Sequence, residues 1–307
     1  MKAPGFKLAF LHPRYWLLWF GLAVWWLICQ LPYPLLRLLA VGIGQLLWWF
    51  GGSRKRIARR NIELCFPQLS LTEQQQLLRR HIDNIAMALF ETGISWWWPQ
   101  WRFRRLVKIS GEENIAAIGD SGALMLAIHQ TTLEVGAAAI SKVTPAIDGM
   151  YRPHKNALYD YVQAQGRLKQ ASDRSADVYE RNDVRGVLKA LRNGRRIWYA
   201  PDQDYGPKQS IFLPFMGVEA AVITATHRFA KLGKAAVVPF VTERLPRFQG
   251  YAVTIKPAVA NFPTNDEAAD TARINEVVEE GVRLCPAQYL WVHRRFKTRP
   301  AGEPSLY

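Results

Sequence analysis

Three cysteines in 307 residues, Cys29, Cys65 and Cys285, are too few and too far apart for a disulfide framework. They form no C-x-x-C pair, so a zinc knuckle is not indicated and a reducing compartment fits best. The six histidines are scattered without metal-ligand spacing, which argues against zinc. The chain also lacks a G-x-S-x-G elbow, a Walker loop and a G-x-G-x-x-G turn, so the familiar sites built on those motifs are excluded. No internal repeat or low-complexity linker is present. Acidic residues are scarce: 25 Asp and Glu against 40 Lys and Arg leave a formal charge of +15. That surplus implies an acidic partner, whether nucleic acid, anionic lipid or an acidic protein.

Charge is missing altogether from the 22 residues between Arg14 and Arg37, which are rich in Leu and Trp. A helix needs roughly 20 apolar residues to cross the hydrocarbon, so this stretch is long enough to span. No small-residue cleavage site follows it, which favours a retained anchor over a signal peptide. Pro32 and Pro34 are expected to end the helix near Leu31. A second uncharged stretch, Leu38 to Ser53, is shorter and carries Gly42, Gly44, Gly51 and Gly52. An interfacial or re-entrant helix is expected there in preference to a second span.

Five positive charges then fall within seven residues, from Arg54 to Arg60. The positive-inside rule puts this end on the cytoplasmic side, and each basic residue near an anionic surface adds roughly 1 kcal/mol of attraction. Nine of the twelve tryptophans precede residue 100, as expected of a membrane-facing first third. The division expected is therefore a membrane anchor and interfacial segment over residues 1–53 and a main domain over 54–307.

Ser70-Leu-Thr-Glu73 is a capping box, and Leu78, Ile82, Ile85, Leu89 and Gly93 recur at helical spacing to about residue 95. Trp96-Trp-Trp98-Pro99 closes that helix, and the cations at Arg102, Arg104, Arg105 and Lys108 mark a membrane surface better than a base-stacking platform. Beyond Ile109 the pattern alternates. Strands are expected at 124–128, 146–151, 197–200 and 235–241, with an edge strand at 253–255 and a closing strand at 289–292. Helices are expected at 133–140, 156–165, 184–192, 224–232 and, from a second capping box at Thr264, to about Leu284. The fold class is α/β: a mixed, largely parallel sheet flanked by helices, with an N-terminal transmembrane helix.

The chemistry is expected where the apolar run Leu124–Ile128 stops at His129. Glu134 follows in a His-x4-Glu spacing. His129 would act as general base on a substrate hydroxyl, and Glu134 would hold the ring and stabilise the imidazolium, as the third member of a triad does. The spacing alone is weak: six histidines and 25 acids in this chain give ~0.5 chance matches. Its place at a strand end raises its value. Two more polar clusters follow strands, Tyr151-Arg-Pro-His-Lys-Asn156 and Pro201-Asp-Gln-Asp-Tyr-Gly206. Ligands bind outside the carboxyl ends of parallel strands, so Arg152, Asp202, Gln203 and Asp204 are candidate substrate-binding residues. Arg152 suits a phosphate or an oxyanion, and Asp202 can orient that arginine or a substrate hydroxyl. Simple pairing of Arg152 with Asp202 at the rim is the competing structural reading.

These features resemble the lipid A late acyltransferases of Gram-negative bacteria, in the branch that adds a lauroyl or similar chain. The resemblance rests on the N-terminal anchor, His129-Gln-Thr-Thr-Leu-Glu134, Tyr151-Arg-Pro-His-Lys-Asn156, Ala200-Pro-Asp-Gln-Asp-Tyr-Gly206, Val237-Val-Pro-Phe240 and the tail Gln288–Pro300. The His-x4-acid signature is shared with the wider glycerolipid acyltransferases, where Asp is common at the position held here by Glu134. The resemblance implies acyl transfer from an acyl-acyl carrier protein thioester to a hydroxyacyl chain of a Kdo-bearing lipid A precursor. It implies no cofactor, no metal and no nucleic-acid partner, and it implies a single-pass protein of the inner membrane with its catalytic domain on the cytoplasmic face. Two alternatives stay open: another membrane lipid such as a glycerophospholipid as acceptor, and a non-catalytic protein that binds anionic lipid.

Overall fold

The computed structural model describes residues 3–171 and 175–307. Its first third is helical. α1 (Trp16–Cys29) and α2 (Tyr33–Phe50) form a hairpin that breaks at Pro32, where the ring removes a backbone donor. α1 is 14 residues long. Among the described residues the helix long and apolar enough to cross a membrane is α2, not the stretch ending near Leu31 that the sequence favours. α3 (Gly52–Cys65) carries the basic cluster, and α4 (Leu71–Trp97) begins at the capping box, with Ser70 and Glu73 each bonded to the other's backbone.

α4 organises this third. Leu78, Ile82, Ala86, Phe90 and Ile94 are buried along it at a spacing of four. Leu89, expected on the inner stripe, is 46% exposed instead. α4 has α2 against it on one side and helices of the main domain on the other, so its burial is wider than a single stripe.

The chain continues through α5 (Gln100–Arg104), β1 (Val107–Ser110), α6 (Glu113–Ala116), β2 (Ala123–Leu126), α7 (Leu133–Val143) and β3 (Ile147–Tyr151). After α8 (Ala157–Lys169) come β4 (Val178–Glu180), α9 (Val184–Arg192), β5 (Arg196–Tyr199) and a hairpin of β6 (Ser210–Phe215) and β7 (Val218–Ile223). α10 (Ala225–Gly233), β8 (Ala236–Arg244), β9 (Tyr251–Ile255) and α11 (Glu267–Leu284) complete the domain. Seven strands form one sheet in the order β1-β9-β8-β2-β5-β3-β4. Every neighbouring pair is parallel except β8 and β9.

β2 lies in the middle of the sheet and all four of its residues are buried. That is the signature of a strand covered on both faces. Ala123 and Met125 join a core with α4 and α7, whereas Leu124 and Leu126 join one with α9, α10 and α11. The alternation follows from the two-residue period of a strand. A third core gathers α3, the start of α4, the β6–β7 hairpin and Trp291 and Phe296 of the tail.

The expected mixed, largely parallel sheet flanked by helices is the fold observed. Several further local expectations fail. β9 is not an edge strand; it sits between β1 and β8. The tail at 289–292 adds no strand and contributes one isolated bridge, Gln130 to Tyr289. The last helix is capped by Asp266, whose side chain accepts from the Ala268 and Ala269 amides, and it starts at Glu267. β1, β4 and the β6–β7 hairpin were not expected; β1 and β4 are too short to show a period, and the hairpin turns at Met216-Gly217.

Candidate active site at the carboxyl ends of the central strands

Parallel pairing sets the central contact. Leu126 at the end of β2 stands beside Tyr199 at the end of β5. Three residues further on each chain come His129 and Asp202, and the His129 Nδ1 lies 2.7 Å from an Asp202 carboxylate oxygen. Asp202 also accepts the His129 backbone N–H, at 3.1 Å to each oxygen. The Asp202 side chain is fully buried and the His129 side chain remains 19% exposed. Burial alone would raise the Asp202 carboxyl, but the His129 ring and its two N–H donors hold it below the ordinary aspartate value.

The tail closes around this corner. The Leu290 amide donates to the His129 carbonyl at 2.9 Å, and the Thr131 amide to the Gln288 carbonyl at 2.7 Å. Tyr289 donates its hydroxyl to the Asp202 carbonyl at 3.3 Å. The Asp204 carboxylate accepts the Thr298 amide and hydroxyl, each at 2.8 Å, and the Gly206 amide at 2.8 Å. Asp204 thus fastens the tail to the strand-end loop. His293 accepts the Asp204 amide at 3.2 Å, and burial pushes its pKa down to about 4, so the ring is neutral.

Glu134 does not fill the orienting place expected of it. Among the described residues no hydrogen bond joins it to His129. One of its oxygens takes the Trp96 indole N–H of α4 at 2.9 Å, and Arg167 of α8 grips the carboxylate at 2.5–3.2 Å. The reason is local: His129 precedes the helix, while Glu134 is the second residue of α7 and meets the two helices packed against it. The Glu134 carboxyl also sits below its ordinary value, because the Arg167 charge and the Arg167 and Trp96 N–H donors outweigh its burial.

Of the other expected residues, Arg152 does not join the corner. Arg152 is exposed, and among the described residues no hydrogen bond or ion pair joins it to Asp202. The rim pair weighed from the sequence does not form. Gln203 is half-buried beside Asp202. Arg167 and Trp96 escaped sequence reasoning because a lone arginine within a helix and a tryptophan in an aromatic cluster carry no pattern of their own. Tyr289 and His293 lay inside the tail motif, whose role in closing the corner only the fold reveals.

A narrow pocket with a cavity volume of about 70 Å³ opens beside the corner, tighter than the roughly 300–1,000 Å³ of ordinary small-molecule sites. Leu133, Ala137, Ile147, Met150, Val178 and Trp198 give it apolar walls, and Glu134 and Arg167 also line it. His129 is not in its wall. A second, smaller cavity lies nearer, lined by Ile128 and Gln130, and it shares Leu133 and Trp198 with the first. The arrangement offers a base at a half-open strand end, an anionic orienter behind it, and apolar space alongside.

The model of the family described as bacterial lipid A biosynthesis acyltransferase matches residues 3–298 of this chain. The lipid A biosynthesis lauroyltransferase of Escherichia coli (strain K12) is 43% identical over 307 residues, covering 99% of both chains. The lipid A biosynthesis palmitoleoyltransferase of the same strain is 41% identical over 305 residues, covering 98% of both. A lipid A biosynthesis acyltransferase of Haemophilus influenzae is 40% identical over 314 residues, covering 100% of this chain and 98% of the relative.

Proposed function

This chain belongs to the bacterial lipid A biosynthesis acyltransferases, and within that activity we propose that it moves a lauroyl or similar chain from acyl-acyl carrier protein to a hydroxyacyl chain of a Kdo-bearing lipid A precursor. The observation that carries the mechanism is the pair formed by the His129 ring and the buried Asp202 carboxylate.

With Nδ1–H donated to Asp202, the lone pair of the ring lies on Nε2. Nε2 takes the proton of the acceptor hydroxyl as its oxygen attacks the thioester carbonyl. The tetrahedral intermediate collapses, the C–S bond breaks, and the imidazolium returns its proton to the departing thiolate. Asp202 fixes the tautomer and stabilises the imidazolium between these steps, the part played by the acid of a Ser-His-Asp triad. A thioester is already activated, so these side chains suffice. Glu134 and Arg167 shape and hold the wall of the adjoining pocket, whose apolar part suits the acyl chain.

The positive surplus of the chain supports the choice of partners, since the carrier protein is acidic and the acceptor bears phosphates and carboxylates. The relatives that bear lauroyl- and palmitoleoyltransferase names are nearly equal in identity, so the donor is assigned by experiment. Mass spectrometry of lipid A from cells with and without the gene should show the mass of one lauroyl or similar chain. Purified protein should transfer that chain from acyl carrier protein, and His129→Ala should abolish transfer. Persistent transfer in that variant would reject the general-base role. Transfer to a lysophospholipid instead would favour the glycerolipid reading.

A further inference from the structure

The N-terminal hairpin exposes a large apolar surface. Leu17, Phe20 and Leu27 of α1 and Leu38, Trp49 and Phe50 of α2 are each at least 60% exposed. This exceeds the scattered apolar exposure of a soluble surface and calls for a cover. The fastening of the hairpin decides how that cover can lie.

Both ends of α1 are tied to the catalytic domain. Before it, the Ala3 amide donates to Asp177 at 2.9 Å and Gln165 of α8 donates to the Pro4 carbonyl at 3.2 Å. Phe6 and Phe10 pack on Tyr161 of the same helix, with ring centroids 5.8 and 5.7 Å away. At its other end, Trp98 donates to the Cys29 carbonyl at 2.6 Å, and Arg102 holds the Gln30 and Leu31 carbonyls at 2.9 and 2.6 Å. Midway, Trp25 donates to the Leu89 carbonyl at 3.2 Å and meets Trp97 at 4.6 Å between centroids. A helix of 14 residues rises ~21 Å, short of the ~30 Å hydrocarbon core.

α2 is tied no less closely. Arg79 of α4 donates to Gln45 at 2.7 Å and lies 5.4 Å from the Trp48 ring centroid. Gly44 sits so near Asp83 that a Cβ there would fall 2.3 Å from its carboxylate. For α2 to cross a bilayer, α4 would have to carry Arg79, Arg80 and Asp83 in with it, and charges near the bilayer centre are costly. Basic and aromatic residues border the apolar face at the hairpin turn: Trp101, with Arg105 stacked 5.0 Å over it, and Arg104 lie on the segment that holds Gln30. Interfacial helices show this composition, with apolar faces sunk ~5–10 Å into the leaflet.

We propose that the α1–α2 hairpin lies within one leaflet of an anionic phospholipid bilayer, entering and leaving on the side that carries the catalytic domain, and does not cross. The surface assigned is the exposed apolar face of α1 and α2, with Trp101, Arg104 and Arg105 at the headgroups. This departs from the single crossing expected from the sequence. It does not depend on which acyl chain or acceptor is used.

Single-cysteine labelling tests it. Lys7→Cys, Gln30→Cys and Arg56→Cys are made in the full chain, whose native cysteines are buried and serve as the unlabelled background. A membrane-impermeant maleimide is applied to right-side-out spheroplasts and to inverted vesicles, with each variant first shown to retain acyl transfer. The expected result is labelling of Lys7→Cys and Arg56→Cys from the same side. Gln30→Cys should label from that side too, or from neither until detergent is added. Labelling of Lys7→Cys and Arg56→Cys from opposite sides would overturn the proposal, as would labelling of Gln30→Cys from the side opposite Arg56→Cys. Because the readout is the side of labelling, its failure leaves the acyl-transfer reading intact.

Discussion

Asp202 accepts from His129 twice over, once from the ring and once from the backbone. The backbone bond fixes where the carboxylate stands and the ring bond fixes which nitrogen carries the proton. Both follow from the pairing of β2 with β5, which brings equal lengths of chain past two neighbouring strand ends.

Asp202→Asn separates those two roles. The amide oxygen can still accept the backbone N–H, so the loop should keep its place. Its NH2 facing the ring would favour the other tautomer, with the proton on Nε2, and remove the base. The expected loss in kcat is about 10⁴-fold, the size seen when the same change is made in a serine-protease triad. KM should change little. Steady-state acyl transfer reads this, and a loss confined to KM would reassign Asp202 to substrate binding.

Removing either member of the Glu134–Arg167 pair strands the other. The side chains are 12% and 25% exposed. Breaking a fully buried pair costs about 3–5 kcal/mol, and the partial exposure of Arg167 lowers that to roughly 2–3 kcal/mol. Glu134→Ala and Arg167→Ala should each destabilise by this amount. The double variant should lose less than their sum, because no charge is then left alone. Thermal or denaturant unfolding of the three proteins decides it; strict additivity would mean that the pair contributes nothing as a pair.

Much of this was legible in the chain, and the exceptions at the site share a cause. β2 shows itself as an apolar run that ends at a histidine, and α9 runs over Val184–Arg192 as its capping aspartate and terminal glycine indicate. His129 and the Asp202 loop were both visible as polar strand ends. Their meeting was not, because it depends on β2 pairing with β5, which are about 70 residues apart in sequence. The local partner, Glu134, stood in for the distant one. Arg167 and Trp96 were hidden for the same reason: each matters through what the fold places opposite it.

Acid should weaken the molecule through the same carboxylates. Asp202 and Glu134 both have folded pKa values below their ordinary ones. Each therefore contributes stability that is fully present above its unfolded value, about 3.9 and 4.3, and that is lost as pH falls through the lower folded value. Unfolding free energy should fall as pH is lowered from about 5 toward 3. Asp202→Asn should flatten that fall in denaturant titrations at each pH, and an unchanged slope in the variant would show that the titrating group is elsewhere.

Gly166 of α8 stands against the ring that holds Glu134. A Cβ at this position would lie 2.4 Å from the Trp96 Cγ and 2.7 Å from its Cβ. Trp96 is almost wholly buried, so the ring has no room to retreat. In an open helix, Gly→Ala gains about 1 kcal/mol from backbone preference. Overpacking a dense core costs about 1–3 kcal/mol, and at this separation the steric effect should win. Gly166→Ala is expected to destabilise by roughly 1–2 kcal/mol and to lower activity by displacing Trp96 from Glu134. Gly42→Ala in α2 is the matched control, since its Cβ would meet nothing within 4 Å. The control should be neutral or stabilising by up to about 1 kcal/mol. Equal effects at the two positions, measured by thermal unfolding in the same detergent, would mean that contact with Trp96 does not set the identity of residue 166.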